Sequence, residues 1–117
     1  MRTKLTENMA TFYIDKDVHG EFRYTLKDNN NEVILRDSEG HSTKQACEKS
    51  IASVRVNAPI DERYDRINNP PNYSFTLKAA NHERIGVSEP YTRAHDRDKA
   101  IENVKREAPA APVKDRT

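Results

Sequence analysis

Two stretches of the chain alternate between apolar and polar residues. Phe22, Tyr24 and Leu26 interleave with Arg23, Thr25 and Lys27, and Tyr73, Phe75 and Leu77 interleave with Ser74, Thr76 and Lys78. A period of two predicts strands with one buried face. Thr11–Lys16, short and rich in aromatic and β-branched residues, reads as a strand ahead of the first stretch, and Tyr64–Ile67 is its weaker counterpart ahead of the second. Asp28–Asn31 and Asn81-His82 read as turns, because Asn tolerates the left-handed backbone of tight hairpins. Glu32–Arg36 and Glu83–Val87 then return as strands. Asn68–Asn72 contains two prolines, which a central strand does not accept, and reads as a longer hairpin loop.

The period then changes. Cys47, Ile51, Val54 and Ala58 recur at steps of four, three and four, which places them on one stripe of a helix over Ser42–Asn57. Ser42 with Gln45 three residues on has a capping-box pattern, and Pro59 ends the helix. Thr92–Glu107 repeats the plan, with Thr92 as cap and Ile101, Val104 and Ala108 on the stripe.

These elements come as two copies of one unit. Thr25, Leu26, Lys27, Asn30, Glu32 and Ile34 fall on Thr76, Leu77, Lys78, Asn81, Glu83 and Ile85. After one extra residue in the first copy, assigned to about Arg36–Asp37, Ser38, Glu39, Lys49, Ile51, Val54, Ala58 and Pro59 fall on Ser88, Glu89, Lys99, Ile101, Val104, Ala108 and Pro109. An extra residue in a strand predicts a β-bulge there. A period near fifty residues marks a duplicated supersecondary unit. Shared core positions predict two halves packed about an approximate two-fold axis, as in a symmetric dimer.

Composition narrows the architecture. In 117 residues, apolar residues make up 34% and charged residues 33%, so the core is thin, and a sheet with both helices on one face suits it best. The expected organisation is a single domain over residues 9–117, with repeats over about 10–61 and 62–115, preceded by a flexible tail at 1–8. A formal charge of +1 gives no global field for nucleic acid or membrane. A single cysteine and the absence of a long apolar run predict a cytoplasmic protein, without a membrane partner and monomeric, since it carries its own dimer mate.

The segments Leu77-Lys78-Ala79-Ala80-Asn81, Ser88-Glu89, Tyr91, Ile51-Ala52-Ser53-Val54 and Asn57-Ala58-Pro59 resemble the YegP-like family of small uncharacterised bacterial proteins, in its tandem-repeat form. The likeness spans about Thr11 to Asp115. It implies an α+β fold of two β-β-β-α-β repeats forming one mostly antiparallel sheet. It also implies that C-terminal strands are exchanged between the repeats, at Ile60-Asp61 and Val113-Lys114-Asp115. The family's turn glycine is replaced here by Asn31 and His82.

Candidate chemistry is sparse. Cys47 lies on a buried helical stripe and reads as a small core residue. His19, His41, His82 and His95 have no metal-ligand spacing, and no cofactor motif is present. Glu39 and Glu89 precede helix starts, where a carboxylate favours the positive dipole end. An enzyme site at the Ser38-Glu39 and Ser88-Glu89 turns is the weakest of three readings. The first is a non-catalytic binding or accessory module for an unknown protein or small ligand, using the outward polar sheet face of Arg23, Thr25, Lys27, Ser74, Thr76 and Lys78. The second is nucleic-acid binding through Arg23, Lys27, Lys78 and their neighbours on that face, which lacks the exposed aromatics that single strands stack on.

Overall fold

The computed structural model describes residues 9–117, so the expected tail at 1–8 lies outside the described residues. The strands are β1 (Thr11–Lys16), β2 (Phe22–Lys27), β3 (Val33–Arg36), β4 (Tyr64–Asn69), β5 (Asn72–Lys78), β6 (Arg84–Val87) and β7 (Val113–Asp115). The helices are α1 (Lys44–Asn57) and α2 (Ala94–Glu107). All seven strands form one sheet in the order β4-β5-β6-β3-β2-β1-β7, antiparallel except for the parallel β1–β7 pair. The fold is α+β and built from two repeats.

The hairpins form as their alternation predicts. Asn31 and His82 adopt φ of 65° and 71°, in the left-handed region that favours glycine. Each lies in the same five-residue turn: Asp28 N–H donates to Glu32 O, and Ala79 N–H to Glu83 O, both at 2.9 Å. Each repeat has a register irregularity just before its turn, at Leu26/Lys27 and at Leu77/Lys78. The extra residue of the first copy is therefore not a bulge at Arg36–Asp37. Asp37 N–H donates to Tyr24 O just as Ser88 N–H donates to Phe75 O. That makes Asp37 the counterpart of Ser88 and puts the insertion in the following loop, between Ser38 and Gly40.

Strand β4 runs to Asn69 and β5 starts at Asn72, so the hairpin loop is only Pro70 and Pro71, tighter than its composition suggests; the bond between them is cis. Helix starts also differ from expectation. Thr43, not Ser42, caps α1, its Oγ1 accepting from Ala46 N–H at 3.1 Å. Arg93, not Thr92, occupies the cap position of α2 and makes no side-chain cap bond.

Phe12, Ile14, Tyr24, Leu26, Leu35, Phe75 and Leu77 from the sheet share one buried cluster with Cys47, Ile51, Val54, Ala100, Ile101 and Val104 from the helices. The halves meet at a thin seam, with Arg36↔Val87 as the register pair between β3 and β6. Helix α1 packs on β2 but also on β5 and β6, and α2 packs on β5 but also on β3. Each helix thus spans the seam, and burial of both stripes ties the repeats together. The Tyr24 hydroxyl crosses it too, donating to Ile85 O. Gly86 makes room for that ring: a Cβ there would lie 2.6 Å from the Tyr24 hydroxyl and 2.9 Å from Leu35.

Strand exchange occurs at one end. Strand β7 leaves its own repeat and pairs with β1 at Phe12↔Val113, Tyr13↔Lys114 and Ile14↔Asp115. At the corresponding place in the first repeat, Ile60-Asp61 leads into a 3-10 turn (Asp61–Arg63) and then directly into β4. With the fifty-residue offset, Val113–Asp115 corresponds to residues 63–65, which are already committed to that turn and to β4. The chain is too short there to supply both strands.

Candidate functional site

The polar sheet face is the first region to weigh. Register places Asp65, Thr76, Val87, Arg36 and Thr25 in one row across the outer face. Of the six residues singled out from sequence, Thr76 is not presented to solvent: it is only 7% exposed, between Asp65 and Val87 in that row. Thr25 is half-buried, and its hydroxyl is covered without a hydrogen-bond partner. Lys78 pairs with Asp65 at 2.9 Å, and Arg23 with Asp17 at 2.9 Å. The Lys27 ammonium lies 5.6 Å from the centre of the Tyr13 ring. Ser74 is half-buried, and its carbonyl accepts from Arg97 at 3.2 Å. The cations of this face are largely taken up by neighbours.

A second region was not legible from motifs. The ladder bond to Tyr24 O holds Asp37 in the interior, where it is 4% exposed. Its carboxylate accepts from Tyr24 N–H at 3.3 Å and lies 3.1 Å from His41 Nε2. Ser50 Oγ is 3.5 Å away and Cys47 Sγ 3.9 Å away. Burial raises the Asp37 carboxyl above the usual range, and the nearby His41 partly opposes this. Burial also pushes the Cys47 thiol up to about 12, with the Asp37 charge adding to the effect. A thiol so protonated is a poor nucleophile. In the second repeat Ser88 holds the Asp37 position, its Oγ accepting from Phe75 N–H at 2.9 Å. The buried carboxylate thus fills a backbone-capping role that a hydroxyl fills elsewhere.

The two Ser-Glu turns differ in their surroundings. Glu39 is exposed in the lengthened loop, while Glu89 forms an ion pair with Arg36 at 3.2 Å. Ser38 Oγ donates to Arg84 O across the seam at 3.0 Å. The four histidines are likewise dispersed, and no group of three His, Cys, Asp or Glu among the described residues is placed to hold a metal.

Outside these regions lie two clefts that the pseudo-two-fold relates to each other. One, of about 280 Å³, is lined by Glu32, Ile34, Tyr91, Asp96, Lys99, Ala100 and Asn103, with Asp28 at its rim. The other, of about 200 Å³, is lined by Glu83, Ile85, His41, Ala46, Lys49, Ser50 and Ser53, with Asp37, Ser38, Glu39 and Arg84 beside them. Each has a hairpin from one repeat as one wall and a helix from the other as the opposite wall. Glu32/Glu83, Ile34/Ile85 and Lys49/Lys99 are identical between the clefts, whereas Tyr91/His41, Asp96/Ala46, Ala100/Ser50 and Asn103/Ser53 differ. Lys49, Lys99, Glu32 and Glu83 are all exposed, and no salt bridge ties up any of the four among the described residues.

The seven-stranded sheet carrying two helices, with two half-clefts completed by opposite repeats, defines a duplicated α+β module. Residues 17–65 and 71–115 each match the family described as "Domain of unknown function (DUF1508)", and the chain belongs to that family. It is 46% identical over 105 residues to the "UPF0339 protein in ptx operon 5'region" of Stutzerimonas stutzeri, covering 89% of this chain and 94% of the relative. It is 42% identical to the UPF0339 protein YegP of Escherichia coli (strain K12), covering 91% and 96%. The solution NMR structure of E. coli yegP, a protein of unknown function, superposes with a TM-score of 0.86 at 40% identity, covering 94% of this chain and 95% of that one. That of UPF0339 protein SO3888 from Shewanella oneidensis gives 0.84 at 34% identity, covering 91% and 90%. The tandem-repeat YegP-like assignment and the duplicated fold are therefore established together.

Proposed function

We propose that this protein is a small non-catalytic binding module whose recognition sites are the two inter-repeat clefts. The carrying observation is their common frame: an uncommitted lysine on the helix wall faces an uncommitted glutamate on the hairpin wall in both. Among the described residues most other cations have a partner, as the sheet-face residues Arg23 and Lys78 do. A ligand or partner segment carrying both signs of charge matches that frame, and the differing residues around it give each cleft its own selectivity. The buried, protonated Cys47 and the backbone-capping role of Asp37 support a structural rather than catalytic reading of the most reactive-looking cluster.

The test is a screen of anionic, cationic and zwitterionic metabolites by amide chemical-shift perturbation at millimolar concentration. Shifts at Lys49, Lys99 and the hairpins carrying Glu32 and Glu83 are expected, and Lys49→Ala with Lys99→Ala should abolish them. Perturbation confined to the polar sheet face, or none at all, would reassign the function away from the clefts.

A further inference from the structure

The unequal treatment of the two sheet edges points to an interaction surface beyond the clefts. Residues Phe12, Tyr13, Ile14 and Asp15 of β1 correspond to Tyr64, Asp65, Arg66 and Ile67 of β4, because Phe12 pairs with Leu26 as Tyr64 pairs with Leu77. The correspondence extends to the core: Phe12 meets Tyr24, and Tyr64 meets Phe75, in edge-on contacts with ring centres 5.7 Å apart in both.

On β1 the outward edge is occupied. Phe12 N–H donates to Pro112 O at 2.8 Å, and Arg116 N–H donates to Ile14 O at 2.9 Å. The side chains lock the strand in place. Arg116 pairs with Asp15 through Nε and Nη2, and its guanidinium stacks 4.3 Å from the Tyr13 ring.

On β4 the same edge is bare. It is the terminal strand of the sheet, and the repeat that would supply its cover has spent those residues on β4 itself. Tyr64 N–H is taken by Asp61 O. The outward groups of Arg66 and Asn68 meet no strand among the described residues. The outer corner carries Asp65, which pairs with Lys78 yet keeps its side chain 54% exposed, and Ile67, the residue at Asp15's position, which is 44% exposed. An open edge with a protruding apolar side chain is a template for strand addition.

We propose that the β4 edge binds an extended segment of a partner protein as an eighth, parallel strand, in the register by which β7 covers β1. Basic residues at alternate positions of that segment would face the outer corner. One sits opposite Asp65, as Lys114 sits opposite Tyr13. The next lays its aliphatic stem over Ile67 and turns its cationic head to Asp65. This occupant follows from β7 itself, which already shows that the equivalent edge accepts a parallel strand with this spacing of cations.

A synthetic peptide of residues 110–117 is therefore a suitable probe. Titrated into the isotopically labelled full chain, it should shift the amides of residues 64–69 and slow hydrogen exchange at Arg66 and Asn68. Arg66→Pro should abolish the effect, since it deletes an outward donor without touching the ladder to β5. A peptide N-methylated at the Arg116 amide should not bind, since it loses the adjoining bond, from the peptide's Arg116 N–H to Arg66 O, without any change to the protein. The proposal is overturned by absence of shifts at millimolar peptide, by shifts restricted to residues 11–16, or by equal binding of the N-methylated peptide. Concentration-dependent shifts at β4 without peptide would assign the edge to a second copy of this chain instead.

Discussion

The two repeats share a backbone and differ in what they put inside it. At one helix position the first repeat has Cys47, packed beside Asp37, and the second has Arg97. Arg97 is only 4% exposed, yet it donates to Asn68 Oδ1 at 2.9 Å, to Ser74 O at 3.2 Å and to Ile67 O at 3.3 Å, and pairs with Asp98 at 2.7 Å. It staples α2 to the hairpin that has no covering strand. The first repeat needs no such staple, because β7 lies over β1 and Lys44 ties α1 to it through Asp115 at 2.6 Å. The comparison teaches that the duplicated frame is set by backbone hydrogen bonds and a few apolar positions, while side chains around it compensate for unequal edges. The seam follows the same rule: Tyr24 reaches over Gly86, and the two-fold counterparts of that pair are the shorter Phe75 and the larger Leu35.

The sharpest break in that complementarity is Gly86→Ala. Its new Cβ would meet both the Tyr24 hydroxyl and Leu35, and overpacking of this kind should cost about 3 kcal/mol in urea unfolding. Adding Tyr24→Phe, the second repeat's choice, should make the double variant more stable than the sum of the two single changes predicts. Strict additivity would mean that the hydroxyl is not what Gly86 accommodates.

Arg97→Cys, the first repeat's residue, should cost about 2 kcal/mol, because it withdraws the donor from a buried group of acceptors. The loss should appear first as faster hydrogen exchange in β4 and β5. Exchange that speeds up uniformly across the sheet would show that Arg97 is not a local staple.

Asp37 offers a finer comparison. Asp37→Ala leaves Tyr24 N–H without its side-chain acceptor and should cost about 1–2 kcal/mol. Asp37→Ser, which installs the second repeat's solution, should cost less. The two should also diverge with pH. The folded pKa of Asp37 is raised, so its contribution is most favourable below the unfolded carboxylate pKa and is lost as pH rises through the folded value. Asp17, Asp61 and Asp115 act oppositely. Their folded pKa values are lowered by hydrogen bonds: Asp17 by the Glu21 backbone and Arg23, Asp61 by Lys105 and Arg66, and Asp115 by Lys44 and Thr117. They stabilise above the unfolded pKa and lose that effect as pH falls through the folded values. Relative to the parent, Asp37→Ser should therefore gain stability between acid and neutral pH. Parallel stability curves for the two proteins across that range would contradict this.

The smallest expected effect concerns the polar sheet face. With Arg23 and Lys78 paired and Lys27 against Tyr13, labelled single- and double-stranded oligonucleotides should show no binding at low salt, where phosphate contacts are strongest. Binding that Lys27→Glu with Lys78→Glu removes would restore the nucleic-acid reading.

Much of the frame was legible along the chain because it depends on local periodicity. Phe22–Lys27 and Tyr73–Lys78 form strands by alternation, and Cys47, Ile51, Val54 and Ala58 are all buried on the helical stripe that their spacing defines. Asn31 and His82 sit in left-handed turns at the family's glycine position. The position of the insertion is not legible in the same way: the repeated Ser-Glu dipeptide aligns Ser38 with Ser88, whereas the ladder bonds pair Asp37 with Ser88. Asp37 carries no such signal: along the chain it is a polar residue at a strand end, and only its contacts with Tyr24 on β2 and with Cys47 and Ser50 on α1 show it to be buried.

By itself, the order of residues determined the two-copy plan, the strand and helix periods and the shared core, because neighbours within a few residues carry that information. Tertiary structure alone decided which edge is covered, which cations are already paired and which residues of different repeats face one another across a cleft. Those outcomes depend on contacts between segments tens of residues apart and on how many residues remain to reach them.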